Sequence, residues 1–239
     1  MNTPALQLGT WLSLGDPTVA ELAATCGWDW VLMDLEHGAA SEAAIPDQLR
    51  ALKGSRTEGI VRVGAPHHDL IARVLDWGAR GVMVPHVETP ESARMIVEAA
   101  RYAPLGKRGF SRSVRAHAYG NAEPAVTPDP VVITQIESGK AVQRAAEIAA
   151  VEGVDILFVG PADLQYDLAT DPHSAPGSYD HCLESVARAA ALAGKKAGIL
   201  LREPADLSRH RAMGFSHIAL ESDVSILRKA YRLLLSHSQ

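Results

Sequence analysis

Short apolar runs rich in β-branched residues alternate with stretches whose apolar positions recur at helical spacing, and the alternation repeats eight times along the chain. The strand-like runs lie at 6–13, 28–36, 59–63, 81–86, 131–137, 154–160, 197–201 and 217–221. Helix starts separate them: Asp16-Pro17 precedes the run 18–26, Ser41 precedes 42–53, and Thr89-Pro90-Glu91 precedes 92–101. Gly27, Gly54, Gly78, Gly153, Gly194 and Gly214 fall at or just past helix ends, where a left-handed cap is easily made. A helix after every strand implies a parallel sheet covered by helices. Eight such units predict an α/β fold, a closed (β/α)8 barrel of the TIM type. Two segments, 105–130 and 164–178, interrupt the rhythm and read as long loops reaching over the active face.

A length of 239 residues suits one such barrel as a single domain over 1–239. The chain is 47% hydrophobic but only 5% aromatic, so the expected core is built from Val, Leu, Ile and Ala. Its net charge of −5 is spread without any run of Lys or Arg, which argues against a nucleic-acid partner. Cys26 and Cys182 each fall inside a helical pattern, which argues against a disulfide framework or a thiolate metal site and suits a reducing cytosol. The chain starts without the basic-then-apolar pattern of a secretion signal and lacks an 18-residue apolar run, so the expectation is a soluble cytoplasmic protein with no membrane partner.

In a barrel of this kind the C-terminal ends of the strands converge on one face. Four polar clusters sit at such ends: Asp34-Leu35-Glu36-His37, Arg62, Gln135-Ile136-Glu137 and Gly160-Pro161-Ala162-Asp163. Glu137 and Asp163 suit a hard divalent cation, because Mg²⁺ takes few protein carboxylates and keeps positions for water and substrate. Each alone also reads as a carboxylate at the start of a helix. His37 is the expected general base, with Asp34 as its orienter, and His86 at another strand end competes for that role. His67, His68, His173, His210 and His237 read as solvated residues of loops, helices or the tail. Arg62, between Val61 and Val63, must reach the barrel mouth or a buried ion-pair partner. A guanidinium there binds a carboxylate or stabilises a developing oxyanion.

The six lysines argue against imine chemistry, which needs an amine at a strand end facing the pocket. Lys53 and Lys229 fall in helices, Lys107 in the long loop, Lys140 in the first turn of a helix, and Lys195-Lys196 before the seventh strand. Electrophilic activation then falls to a metal acting as Lewis acid, with no Schiff-base Lys and no pyridoxal phosphate. Gly106-Lys107-Arg108-Gly109 lacks the strand–loop–helix context of a phosphate loop, and Gly-x-Ser-x-Gly does not occur. Nucleotide-dependent chemistry and serine hydrolysis are not expected.

The motifs as a set resemble the HpcH/HpaI family of metal-dependent pyruvate aldolases, of which 4-hydroxy-2-oxoheptane-1,7-dioate aldolase and the 2-keto-3-deoxy sugar-acid aldolases are typical. The resemblance rests on Gly9-Thr10-Trp11-Leu12-Ser13, Asp34-x-Glu36-His37, Val61-Arg62-Val63, Asp76-x-Gly78-Ala79-x-Gly81-Val82-Met83-Val84-Pro85, Arg101-Tyr102-x-Pro104 with Arg108-Gly109, Gln135-Ile136-Glu137, and Gly153-Val154-Asp155 through Gly160-Pro161-Ala162-Asp163-Leu164. It implies reversible cleavage of a 4-hydroxy-2-oxo acid to pyruvate and an aldehyde. By the same resemblance, Glu137 and Asp163 ligate Mg²⁺, Mn²⁺ or Co²⁺, and the backbone around Gly160 and Ala162, with Gln135, positions the pyruvate carboxylate. Arg62 stabilises the enolate, and His37, held by Asp34, moves the proton through a bound water. It further implies a homo-oligomer, a hexamer of trimers or swapped dimers whose last helix is exchanged between subunits, with Asp76 approaching a neighbour's site.

One departure stands out: Leu220-Glu221-Ser222-Asp223 puts a carboxylate where the family commonly has Gly, which would recharge or narrow the mouth. Two other readings compete. A citramalyl- or malyl-thioester lyase would use the same enolate strategy with Arg108, Arg112 and Arg115 as a cationic groove for coenzyme A. A catalytically silent binding barrel would have no reason to keep all four clusters.

Overall fold

In the computed structural model, which describes residues 5–122, 128–171 and 176–236, eight parallel strands close on themselves. They are β1 (Gln7–Leu12), β2 (Trp30–Asp34), β3 (Glu58–Arg62), β4 (Gly81–Val84), β5 (Val131–Ile136), β6 (Ile156–Val159), β7 (Lys196–Leu201) and β8 (His217–Ser222). Each pairs with its neighbour in sequence, and β8 pairs with β1. The covering helices are α1 (Pro17–Cys26), α2 (Ile45–Ala51), α3 (His68–Asp76), α4 (Pro90–Ala100), α5 (Gly139–Gln143), α6 (Ala145–Ala149), α7 (Pro161–Thr170), α8 (Tyr179–Leu192), α9 (Leu207–Met213) and α10 (Asp223–Ser236). The predicted barrel is therefore the observed one. His173 and His237 lie outside the described residues.

The expected helix starts hold at atomic level where the side chain can cap. Asp16 accepts the Thr18 N–H at 2.7 Å, and Thr89 accepts the Ser92 N–H at 3.1 Å, each with Pro in the first turn. Ser41 makes no such bond. The chain instead takes a 3-10 turn over Glu42–Ala44 before α2.

Because strand residues alternate faces, the core divides in two. Outward residues such as Val31, Val61, Val82, Val132, Leu157 and Ile199 pack beneath the helices. Inward residues Trp11, Trp30, Leu32, Ile60, Met83, Ile133, Ile156, Phe158 and Ala219 fill the barrel. Three aromatic rings meet there: Trp11 lies 5.6 Å from Phe158 and 6.3 Å from Trp30, centroid to centroid. A Cβ on Gly198 would come within 2.3 Å of the Phe158 ring, so the absence of a side chain on β7 is what lets the ring in.

Two loop expectations are corrected. All of 164–170 is helical, because Pro161 starts α7 directly after β6. That helix buries only Leu164, so it has no apolar stripe to betray it in the sequence. The described part of the segment after α4, up to residue 122, packs against the opposite end of the barrel rather than over the strand ends. Arg115 donates to the Trp77 carbonyl at 2.9 Å and the Leu49 carbonyl at 3.0 Å, both near the C-terminal ends of helices that run back from the mouth.

Candidate active site

Register brings the first two clusters together. Asp34 and Arg62 are paired residues of β2 and β3, so their side chains emerge side by side at the mouth. The result is a bidentate bridge, with Arg62 Nε donating to Asp34 Oδ1 at 2.9 Å and Nη2 to Oδ2 at 2.6 Å. Both groups are buried. Burial works against each charge, but the mutual hydrogen bonds outweigh it and hold the Asp34 carboxyl below its usual range and the Arg62 guanidinium above its own. The third Arg62 nitrogen, Nη1, lies 2.8 Å from Glu36 Oε2, and the guanidinium sits 5.5 Å from the centroid of the Trp11 ring.

Asp34 was expected to hold the His37 imidazole, and here the structure differs. Its Oδ1 accepts the backbone N–H groups of Glu36 (3.0 Å) and His37 (3.2 Å), while both carboxylate oxygens face Arg62. Asp34 therefore shapes the turn that carries His37 and aims the Arg62 guanidinium, but does not orient the His37 ring. That ring is mostly exposed, with Nε2 3.8 Å from Glu36 Oε1.

The second pair of clusters meets across β5 and β6. Gln135, inward-facing on β5, donates from Nε2 to Glu137 Oε1 at 2.9 Å. The other carboxylate oxygen accepts the His86 N–H at 2.9 Å and lies 3.3 Å from His86 Nδ1. A Cβ on Gly160 would stand 2.3 Å from Glu137 Oε1 and 2.7 Å from its Cγ, so the Glu137 side chain occupies space that only glycine leaves open. Burial, followed by the nearby charges of Asp163 and Glu36, pushes the Glu137 carboxyl up despite the hydrogen bond from the His86 backbone.

Asp163 lies in the first turn of α7 and makes no capping bond. The first-turn N–H groups of Ala162 and Asp163 have no partner within the helix. With the positive end of the helix dipole, they form a natural seat for an anion.

One cavity of about 200 Å³ joins these parts. His37, Arg62, Gln135, Glu137, Gly160, Ala162 and Asp163 line it together with Trp11 and Phe158 at the floor. The far wall consists of Leu200, Arg202, Glu221 and Ser222. Asp34 stands behind Arg62 rather than in the lining. Asp76 ends α3 and accepts from Arg108 Nη2 at 2.6 Å, outside this cavity within the chain. Arg108 and Arg115 are thus committed to structural partners near the other end of the barrel, which removes two of the three cations proposed for coenzyme A.

Three contributors were not singled out from the sequence. Glu36 bridges Arg62 and His86, with His86 Nε2 at 3.3 Å; it was visible only as part of the Asp-x-Glu-His string. Trp11 and Arg202 carried the usable signal of lying on the inward parity at a strand end.

The donor set fits a hard divalent cation. Among the described residues no cluster of three or more His, Cys, Asp or Glu could enclose a metal. A pair of carboxylates is what Mg²⁺ or Mn²⁺ requires when water and substrate complete the shell. Gln135 Oε1, buried beside Glu137 with no partner, matches a water of such a shell.

A family model described as HpcH/HpaI aldolase/citrate lyase matches residues 7–230. The hydroxypyruvate/pyruvate aldolase of Delftia acidovorans is 38% identical over 226 residues, covering 93% of this chain and 84% of that protein. The 5-keto-4-deoxy-D-glucarate aldolase of Shigella dysenteriae is 35% identical over 232 residues, covering 96% and 91%. The crystal structure of a HpcH/HpaI aldolase/citrate lyase family protein from Burkholderia cenocepacia superposes with a TM-score of 0.90 at 35% identity, covering 98% of this chain and 95% of that one.

Proposed function

Because the chain belongs to the HpcH/HpaI aldolase/citrate lyase family and is a carbon–carbon lyase of the aldolase kind, we propose that it reversibly cleaves 4-hydroxy-2-oxo acids between C3 and C4. The products would be pyruvate, or a related 2-oxo acid, and an aldehyde. The observation that carries this reading is the juxtaposition of an aimed, buried guanidinium with a two-carboxylate site in one cavity.

Glu137 and Asp163 would hold Mg²⁺, Mn²⁺ or Co²⁺, which when bound supplies Lewis-acid activation of the 2-oxo group. The chain's own groups do the rest. The N–H groups at the start of α7, helped by the Gln135 amide, seat the substrate carboxylate. Arg62, locked by Asp34, offers fixed hydrogen-bond donors where negative charge develops on the keto oxygen, so its favourable interaction grows towards the transition state. His37, exposed at the rim, takes the C4 hydroxyl proton through a water in the cleavage direction and returns it in condensation. Phe158 and Trp11 close the floor beneath the reacting carbons.

The reading also places the enzyme in a reducing cytoplasm, in keeping with the two free thiols Cys26 and Cys182. No helix of the described residues is long and apolar enough to cross a membrane. Assembly with exchanged C-terminal helices is supported by α10, which buries only Asp223 and Ser225 while Ile226, Leu227, Tyr231 and Leu234 are exposed. The chemistry is tested by trapping. Borohydride added with pyruvate should leave activity intact, whereas a chelator should abolish it; inactivation by borohydride would point to an imine and refute the metal-based reading.

A further inference from the structure

His86 has two features that the cleavage steps leave unexplained. Its backbone is left-handed, at φ 53°, two residues past the end of β4, a conformation that is costly for a residue other than glycine. Its side chain is wedged between two acids: Nδ1 lies 3.3 Å from Glu137 Oε2, and Nε2 lies 3.3 Å from Glu36 Oε1. The ring is not part of the cavity lining, so its place is behind the Glu137 carboxylate rather than against the substrate.

Strand register explains how the residue comes to be there. β4 and β5 pair with Val84 beside Thr134, and an unbroken parallel ladder would next deliver the His86 N–H to the Gln135 carbonyl. That carbonyl takes the Val87 N–H instead, at 3.2 Å. One residue is therefore inserted into the path of β4, and it is His86. Such bulges are frequent beside active sites, where they re-aim a side chain. The N–H released from the ladder goes to Glu137 Oε2 at 2.9 Å, and the ring turns to the same oxygen.

Glu137 is fixed on both sides as a result. Gln135 Nε2 donates to Oε1 at 2.9 Å, while the His86 N–H and ring meet Oε2. A carboxylate has about four lone-pair sites, so those left over are the ones presented to the cavity that Glu137 lines. The far nitrogen of His86 extends the link, because Glu36, which it faces, lies with its Oε2 2.8 Å from Arg62 Nη1. His86 and Glu36 thus join the carboxylate assigned to the cation, at the end of β5, with the guanidinium assigned to the oxyanion, at the end of β3. Groups that hold a metal ligand from behind matter to the metal: losing one typically weakens binding about 10- to 100-fold.

We infer that His86 is a positioning residue, whose side chain, aimed by the bulge at the end of β4, sets the Glu137 carboxylate for a divalent cation. This rests on the assignment of Glu137 as a metal ligand made above. The test is Mn²⁺ affinity by titration calorimetry, with a thermal melt of the metal-free protein, for wild type, His86→Gly and His86→Asn. Glycine keeps the backbone N–H on Glu137, removes the ring and relieves the left-handed strain; with 64% of the side chain exposed, little packing is lost. His86→Gly should therefore melt close to or above the wild-type temperature yet bind Mn²⁺ about 10- to 100-fold more weakly. Asparagine tolerates the left-handed backbone and carries an amide donor as far along the side chain as Nδ1, so His86→Asn should recover part of the affinity. An affinity of His86→Gly within about threefold of wild type would overturn the inference and leave the metal reading standing. So would an affinity loss that comes with a melting temperature lower by more than about 5 °C, the mark of a general loosening. A wild type that binds no Mn²⁺ would overturn both.

Discussion

Adding a single methyl group at Gly160 tests whether the position of the Glu137 carboxylate controls the chemistry. The backbone at Gly160 has φ −88° and ψ 98°, which alanine adopts without strain, so any effect of Gly160→Ala is steric. The new Cβ would lie 2.3 Å from Glu137 Oε1, and ordinary contact begins at 3.4 Å, so the oxygen must retreat by about 1.1 Å. That retreat is enough to break the 2.9 Å hydrogen bond from Gln135 and to distort the carboxylate's geometry towards a cation. Misplacement of a reacting group by about 1 Å costs on the order of 100-fold in rate, or about 2.7 kcal/mol in the barrier. Stability should move far less: lower unfolded-state entropy contributes about 0.4–1 kcal/mol, against a local overpacking cost of about 1–3 kcal/mol. The assay is kcat/KM for pyruvate release, with Mn²⁺ affinity from calorimetry and a thermal melt on the same sample. A folded variant with kcat/KM within about threefold of wild type and unchanged Mn²⁺ affinity would refute the reasoning.

Replacing Asp34 with Asn leaves the Arg62 charge without its bidentate partner, and urea unfolding should show a loss of about 3 kcal/mol, the low end for a broken buried pair because Glu36 remains nearby; a loss below about 1 kcal/mol would contradict the role given to the pair. The Asp34 carboxyl is held below its ordinary value, so its contribution is complete above pH near 4 and lost as pH falls through the folded-state value, a dependence that Asp34→Asn should remove from acid unfolding curves. Burial, then Lys196, pushes His217 down to about 4 from 6.5, so the unfolded chain binds the extra proton and stability should decline as pH drops from 6.5 towards 4; His217→Gln should flatten that slope, and an unchanged slope would refute the assignment. His37→Ala should lower kcat by about 100-fold or more with the melting temperature nearly unchanged, since the ring is largely exposed, whereas a kcat near wild type would move the proton-transfer role to His86.

The barrel was legible because its two periodicities are strong. Each inward residue is followed by an outward one, and Pro or Gly marks the turns around the helices. The site's parts were legible because polar residues ending apolar runs have few places to go except the mouth. What the one-dimensional pattern hides is register. That Asp34 faces Arg62, rather than the nearer His37, follows from pairing between strands 28 residues apart. The left-handed geometry of Glu221 depends on a bulge where β8 meets β1, although the unexpected carboxylate there was visible. The helix α7 was hidden by its single buried residue, and the course of the segment after α4 by Arg115, whose two carbonyl partners lie at the ends of two different helices.

The most direct test of the account is pyruvate release from a racemic 4-hydroxy-2-oxo acid by metal-stripped enzyme, with and without Mg²⁺ or Mn²⁺, beside Glu137→Ala. The account predicts release only when metal and Glu137 are both present. Release that persists after stripping, or that survives the loss of Glu137, would contradict it.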